Sequence, residues 1–108
     1  MTTIDINGRL ADRSPLQALS WSAGLSVSFT LIPPLLAIAP DATGRERITS
    51  QGHLRLSSSI RRVLQIASGD RLYMTAARGG GQLTICPVWI VDEFVEQLGH
   101  GHIRKWAS

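Results

Sequence analysis

The chain has 108 residues, of which 44% are hydrophobic and 18% are charged, and its formal net charge is +3. This length allows one modest hydrophobic core and excludes two independent ones, and the composition is typical of a globular protein and not of a disordered one. A single cysteine excludes an intrachain disulfide framework and favours a reducing compartment, so we expect a cytoplasmic protein.

The N-terminal part of the chain contains an uncharged stretch, residues 14–40, that raises the question of a membrane span. Inside it, the segment SVSFTL alternates polar residues with Val27, Phe29 and Leu31, which is the period of a half-buried strand. A Pro-Pro pair follows at once and favours a turn. We therefore predict a strand and a turn here, with no membrane association. The opening MTTIDING lacks the pattern of a secretory signal.

A short helix is predicted just before this strand. Ser14 and Pro15 indicate its start, because serine caps helix N-termini and proline is tolerated in the first turn. Leu16 and Leu19 provide its apolar positions.

The segment RERITSQGHLRL predicts two short strands around a turn at residues 50–52. Side chains of a strand alternate between its two faces. Leu54 and Leu56 are therefore expected to point one way, while His53 and Arg55 point the other way.

A second short helix follows, with Ser57 or Ser58 as its cap. Its apolar stripe at i, i+3 and i+4 spacing consists of Ile60, Val63 and Leu64. Arg61 and Arg62 lie off that stripe, so we expect both to face solvent. Gly69 is predicted to end the helix with a positive φ.

The alternating segments RLYMTA and QLTICP predict a hairpin after this helix, closed by the triple glycine at residues 79–81. Beyond it, Asp92 is expected to cap a C-terminal helix that Gly99 ends. The apolar stripe of that helix consists of Phe94, Val95 and Leu98.

The first half of the chain resembles a degenerate copy of the second. Matching residues recur at a separation of 44 or 45, in the pairs Ile4/Ile48, Gly8/Gly52, Leu10/Leu54, Leu19/Leu64, Trp21/Ile66 and Gly24/Gly69. A tandem duplication explains these pairs together, whereas chance similarity between two strand-rich halves is the alternative. A repeated unit of this size is expected to bury its apolar face against the other copy. We therefore divide one globular domain into units 1–43 and 44–88 and a C-terminal segment, 89–108.

Positive charge is concentrated between residues 45 and 62. This segment contains five arginines and only one acidic residue, Glu46. Ten of the eleven basic residues are arginine, whose planar guanidinium binds phosphate or guanine with two hydrogen bonds. A local basic patch is typical of a surface that binds a polyanion, and ordinary solvated arginines are the alternative.

The segment ITSQGHLRLSSSIRRVLQIASGDRLYMTAARGGGQLTICP resembles the DNA-binding domain of the AbrB/MazE/SpoVT superfamily. The likeness lies in the order of a turn glycine, an apolar strand, a short helix with paired basic residues, a Gly-Asp and a hairpin. It covers about forty residues of the second half, and the degenerate copy extends it to most of the chain. The resemblance implies a mainly β fold with short helices, in which two tandem ββαββ-type units form a swapped-hairpin β-barrel followed by a C-terminal helix.

This family implies double-stranded DNA binding by a transcriptional regulator that is cytoplasmic and nucleoid-associated, with no enzymatic activity and no cofactor. A homo-oligomer is expected, with a dimer favoured, although the barrel can form within one chain or between two. The implied DNA-binding residues are Arg9, Arg13, Arg45, Arg47, His53, Arg55, Arg61 and Arg62. His53 stands where the family usually has an arginine, and Ser57-Ser58 replaces the usual Ile-Pro before the helix.

An antitoxin that binds a toxin protein and regulates its own operon is the alternative function, because family members of that kind use the region after the barrel to bind the toxin. We expect no catalytic residue and no metal site. Cys86 has no adjacent base and is interpreted as a packed side chain. His100 and His102 are too few to hold a metal by themselves.

Overall fold

The computed structural model describes residues 1–32, 34–77, 79–90, 92–93 and 95–98. Across this part of the chain the protein is mainly β, as predicted: six antiparallel strands form a curled half-barrel accompanied by short helices. In chain order the elements are β1 (Thr2–Thr3), α1 (Ser14–Ala18), β2 (Ser26–Ile32), β3 (Leu35–Pro40), β4 (Glu46–Arg47), α2 (Ser58–Val63), β5 (Arg71–Ala77) and β6 (Gln82–Pro87).

The sheet has the order β1-β5-β6-β3-β2-β4, so that the hairpins β2–β3 and β5–β6 lie side by side at its centre. Strands β3 and β6 are antiparallel, with Leu36 opposite Ile85 and Ile38 opposite Leu83. This register places the tips of the two hairpins at opposite ends of the sheet. Each hairpin is flanked by a short strand from the other half of the chain, because β1 pairs with β5 and β4 pairs with β2.

Two irregular segments, residues 8–11 and 53–56, bond to each other and link β1 to Thr49, two residues after the end of β4. The backbone hydrogen bonds that make this connection run from Ala11 N–H to the Thr3 carbonyl (3.0 Å), from Leu10 N–H to Leu54 (2.9 Å), from Leu56 N–H to Gly8 (2.8 Å) and from Thr49 N–H to His53 (2.9 Å). The segment 53–56 was predicted to be a regular strand, and this is wrong. It makes only an isolated bridge, between Arg55 and Arg9.

The hydrophobic core fills the inside of the curl and draws on both halves of the chain. Its largest fully buried side chains are Ile4, Leu10, Leu16, Val27, Leu36, Ile38, Ile48, Leu54, Leu56, Leu72, Leu83 and Ile85. The predicted alternation is confirmed, since Leu54 and Leu56 are buried and Arg55 is exposed. Trp21 is also buried. Each buried Leu or Ile stabilises the fold by about 1.5–3 kcal/mol, so this shared core binds the two halves together.

Local backbone geometry recurs between the two halves at the separations seen in the sequence. Positive φ occurs at Gly8 and Gly52 (85° and 83°), at Ser20 and Gln65 (59° and 56°) and at Gly24 and Gly69 (85° and 89°). The hydrogen bond from Ile4 N–H to the Asp70 carbonyl likewise matches the one from Ile48 N–H to the Leu25 carbonyl. The two halves therefore share turn geometry and exchange equivalent contacts.

The two short helices begin in different ways. In α2 the prediction is confirmed, because Ser57 is the N-cap and its hydroxyl accepts from Ile60 N–H at 3.3 Å. In α1 the prediction of Ser14 as the cap is wrong: Arg13 is the N-cap, with no side-chain capping bond. The Asp12 carboxylate binds the Ser14 N–H instead, at 2.9 Å.

The predicted apolar stripe of α2 is only partly correct. Leu64 is buried, but Val63 is 56% exposed. The helix ends at Val63 because Gln65 adopts a positive φ of 56°, so the chain turns away before a second helical turn can form. Gly69 has the predicted positive φ, but it lies in the later turn before β5 and not at the helix end.

The C-terminal helix begins earlier than predicted. Residues 88–90, 92–93 and 95–98 are helical, so Asp92 lies inside the helix and does not cap it. Val95 is 58% exposed. Phe94, Gly99, His100 and His102 lie outside the described residues. Within the described ranges, no helix has both the length and the apolar character needed to cross a membrane.

Candidate nucleic-acid interface

Two tight turns, residues 5–9 and 49–53, form the framework of the candidate site. In the first, one oxygen of the Asp5 carboxylate accepts hydrogen bonds from Asn7 N–H and Arg9 N–H, both at 2.9 Å. In the second, the Thr49 hydroxyl takes the equivalent role and accepts from His53 N–H at 2.9 Å. Short polar side chains stabilise such turns by binding the backbone a few residues ahead. Both turns are therefore held in fixed shapes next to basic side chains.

Arg9 and Arg55 lie directly opposite each other in an antiparallel bridge. Residues opposite each other in such a pair project from the same face, and like charges in this arrangement are destabilising. Each guanidinium has its own hydrogen-bond partner: Arg9 Nε donates to the Asp5 carboxylate at 2.9 Å, and Arg55 Nε donates to the Asn7 carbonyl at 2.8 Å. The two side chains therefore reach different partners from adjacent backbone positions, and the Asp5 carboxylate offsets the charge of Arg9.

Arg61 reaches the same turn from helix α2. Its Nε donates to the Ser57 carbonyl at 3.4 Å, and its Nη1 makes a long contact of 3.5 Å with the Ile6 carbonyl. A Cβ atom placed on Gly8 would lie 3.2 Å from the Arg61 Nε atom. The guanidinium of Arg61 therefore packs over Gly8 and is half-buried, contrary to the prediction that it faces solvent.

Arg13 joins this group through the second turn. Its Nη1 donates to the Gln51 carbonyl at 3.1 Å, while the Gln51 side-chain oxygen accepts from Arg9 Nη1 at 3.4 Å. Four arginines are thus connected through two adjoining turns, although they come from distant parts of the chain. These four residues, termed the arginine cluster, are Arg9, Arg13, Arg55 and Arg61.

The other predicted DNA-binding residues lie outside the arginine cluster. Arg47, at the β4 edge of the sheet, makes a 3.4 Å contact with the Gly24 carbonyl. Arg45 and Arg62 are exposed, and neither contacts the two turns through a side-chain hydrogen bond within the described part of the chain. His53 is half-buried, and its Nδ1–H donates to the Leu10 carbonyl at 2.9 Å, which makes it a tether between the two irregular segments.

Three polar residues of the site were not among the sequence-predicted residues. Asp5 positions Arg9, while Asn7 and Gln51 contribute carbonyl partners and carry amide groups of the kind that bind adenine edges. The sequence pattern that could have indicated Asp5 and Asn7 was the Asp-x-Asn-Gly order of residues 5–8, which favours a turn held by an aspartate. Gln51 gave no comparable signal beyond its place beside a turn glycine.

The arginine cluster keeps most of its positive charge. Among the described residues, the Arg9–Asp5 pair is the only salt bridge, and Arg13, Arg55 and Arg61 donate to neutral backbone carbonyls. Arg55 uses its Nε atom for this purpose, so its two terminal nitrogens form no hydrogen bond with the described residues. That edge of a guanidinium is suited to bind the two oxygens of a phosphate or the O6 and N7 atoms of guanine.

Asp5 gives the site a predictable acid response. The Arg9 backbone N–H, followed by the Arg9 side chain and the Asn7 N–H, holds the pKa of Asp5 below its ordinary value of 3.8. A carboxyl whose pKa is lower in the folded state stabilises the fold above its unfolded pKa and loses that contribution as the pH falls through the folded value. We therefore expect the thermal midpoints of wild type and Asp5→Asn to converge as the pH falls below about 3.8, as measured by circular dichroism. A constant difference across that range would contradict this role.

Two other observations concern a cysteine nucleophile and a metal site. Burial raises the pKa of the Cys86 thiol above its ordinary value, which disfavours the thiolate that a nucleophile requires. No group of three or more metal-ligating side chains occurs among residues that the structure describes.

Comparisons with protein-family models, with curated proteins and with solved structures found no match to this chain.

Proposed function

We propose that this protein binds double-stranded DNA through the arginine cluster and acts as a sequence-selective transcriptional regulator of the AbrB type, in the cytoplasm on the nucleoid. The observation that carries this proposal is the Arg9–Arg55 pair. The backbone bridge sets the two residues opposite each other, and the terminal nitrogens of Arg55 form no hydrogen bond with the described residues. A polyanion is attracted to a local group of arginines, and the available edge of Arg55 can bind one of its phosphates.

The exchange of strands between the two halves supports the finer architecture, a swapped-hairpin barrel. The β2–β3 hairpin of the first unit pairs with β4 of the second, and the β5–β6 hairpin of the second unit pairs with β1 of the first. Equivalent turns recur at separations of 44 and 45 residues. On this proposal, two tandem units complete one interleaved barrel within a single chain, and the arginine cluster forms where the two units meet.

The members of the cluster have different roles in this proposal. Arg55 reads bases or binds phosphate through its free edge, while Arg9 is oriented by Asp5 for the same purpose. Arg13 and Arg61 lie beside the turns and supply phosphate contacts that fix register. Arg62, exposed on the next position of α2, and Arg45 and Arg47 at the β4 edge add longer-range attraction.

A salt-dependent binding titration tests the proposal. Each neutralised phosphate contributes about −0.9 to the slope of log affinity against log salt concentration. If the four arginines of the cluster each neutralise one phosphate, the slope for a fluorescein-labelled duplex should be about −4, as measured by fluorescence anisotropy. A preferred duplex should bind at least about 1,000-fold more tightly than random sequence at the same salt concentration. No binding at low salt would refute the proposal.

A further inference from the structure

The two halves of the chain are related by an approximate two-fold axis. At the centre of the sheet, Ala37 of β3 lies opposite Thr84 of β6, and these two residues are counterparts at a separation of 47. Contacts across a two-fold axis are reciprocal, so a residue that meets its own counterpart lies at the axis. The axis therefore crosses the sheet between β3 and β6.

The same axis passes between the two irregular segments. Leu10 and Leu54 are counterparts at a separation of 44, and the Leu10 N–H donates to the Leu54 carbonyl at 2.9 Å. The segments 8–11 and 53–56 run antiparallel at this point, as a two-fold axis requires. Each unit of the chain thus supplies one of the two segments, and the proposed DNA surface lies across the axis.

The side chains next to the axis break this symmetry. On one side of the axis, Arg9 and Arg55 lie opposite each other in the antiparallel bridge. Their counterparts on the other side, at a separation of 44, are His53 and Ala11. The Nδ1–H of His53 is already used, because it donates to the Leu10 carbonyl. One side of the axis therefore carries two arginines, and the other side carries a tethered histidine and an alanine.

The other two members of the arginine cluster are also unmatched. Arg61 corresponds, at a separation of 45, to Leu16, which is fully buried in the core. Arg13 corresponds to a serine, Ser57 or Ser58, at a separation of 44 or 45. No arginine of the cluster thus has an arginine or lysine as its counterpart. The backbone turns recur across the axis, as the matching positive φ values show, whereas the charged groups do not.

The symmetry of a DNA-binding surface determines the symmetry of the site that it reads. A protein with exact two-fold symmetry reads a palindromic site, because equal halves of the protein meet equal half-sites. In this chain the halves differ, so reversing the duplex would place the half-site that suits the two arginines against His53 and Ala11. We propose, on the basis of the proposed function, that one chain recognises a non-palindromic duplex and binds it in a single orientation.

Directed DNA cleavage tests the orientation. Asn7 and Gln51 are exposed counterparts in the two turns and lie on opposite sides of the axis, so the variants Asn7→Cys and Gln51→Cys are each coupled to iron–EDTA. The DNA is an end-labelled duplex selected by wild type from a random-sequence library. Wild type treated with the same reagent corrects for labelling at Cys86. Labelled Asn7→Cys should cut one side of the site at least about 5-fold more than the other, and labelled Gln51→Cys should reverse this ratio.

A second variant links the orientation to the unequal arginines. Ala11→Arg, combined with Asn7→Cys, supplies an arginine at the counterpart of Arg55 and should lower the cleavage ratio at least about 2-fold. The matched control is Ala77→Arg, which adds the same charge at the exposed end of β5, about 20 Å along the strand from Arg71, and should leave the ratio unchanged.

Three results would overturn the inference while DNA binding itself stands. They are a palindromic selected site, equal cleavage on both sides by each labelled variant, and equal effects of Ala11→Arg and Ala77→Arg. If selection yields no duplex that wild type binds, both the inference and the proposed function are refuted.

Discussion

Replacing Arg55 and Arg61 together with glutamine is expected to weaken duplex binding at least about 30-fold, because each arginine contact to DNA contributes about 1–3 kcal/mol. Glutamine keeps an amide N–H that can still donate to the turn carbonyls now bound by these arginines. The change therefore removes charge and the guanidinium fork with limited loss of turn support. Fluorescence anisotropy with a labelled duplex measures the effect directly.

Arg71 provides a matched control for this experiment. It is exposed at the start of β5 and makes no side-chain hydrogen bond to the two turns of the cluster within the described residues. The single change Arg71→Gln removes the same charge as Arg55→Gln, yet it should weaken binding less than about 3-fold, while Arg55→Gln should weaken it at least about 5-fold. Equal losses from the two single variants would mean that DNA responds to net charge alone and not to the cluster.

The largest expected effect on stability comes from Gly8→Ala. Gly8 has a φ of 85°, and an added Cβ would overlap the Leu56 carbonyl oxygen, which lies next to the N–H that donates to Gly8. The left-handed backbone costs about 1–2 kcal/mol for a residue with a side chain, and the overlap adds about 1–3 kcal/mol. We expect the free energy of unfolding to fall by about 2–5 kcal/mol in urea denaturation.

Gly52→Ala separates these two causes. Gly52 occupies the equivalent turn with a φ of 83°, but the nearest atom to its added Cβ is Arg13 Cδ at 3.8 Å. Only the backbone cost applies there, so the expected loss is about 1–2 kcal/mol. If the two variants lose the same free energy of unfolding, the close approach of Gly8 to Leu56 adds nothing to the cost of a side chain at position 8. That result would contradict the tight contact between the two irregular segments.

Features that depend on neighbouring residues were predictable from the sequence. The period of two in SVSFTL and RLYMTA indicated strands, and the triple glycine at residues 79–81 indicated the turn of the second hairpin, because these patterns act through local backbone geometry. The recurrence of residues at a separation of 44 has a structural counterpart in the matching positive φ values at Gly8 and Gly52.

Features that depend on distant contacts were not predictable in this way. The opposition of Arg9 and Arg55 arises from a bridge between segments 46 residues apart, and no local pattern indicates that register. Charge density along the sequence grouped Arg45 and Arg47 with Arg55, whereas the folded chain joins Arg55 to Arg9 and leaves β4 at the sheet edge. The helical stripe failed at Val63 because Gln65 takes a positive φ, which a periodicity count cannot detect.

The most direct test of the central claim is a ¹H–¹⁵N NMR titration of the protein with a short DNA duplex. The arginine cluster should respond first: backbone signals of the turns 5–9 and 49–53, and the Nε–H signals of Arg9 and Arg55, should shift progressively with added DNA. Signals of Leu31, Ile32 and Leu35, at the tip of the β2–β3 hairpin, should stay in place. Unchanged signals in the two turns, with shifts confined to other parts of the surface, would contradict DNA binding by the arginine cluster.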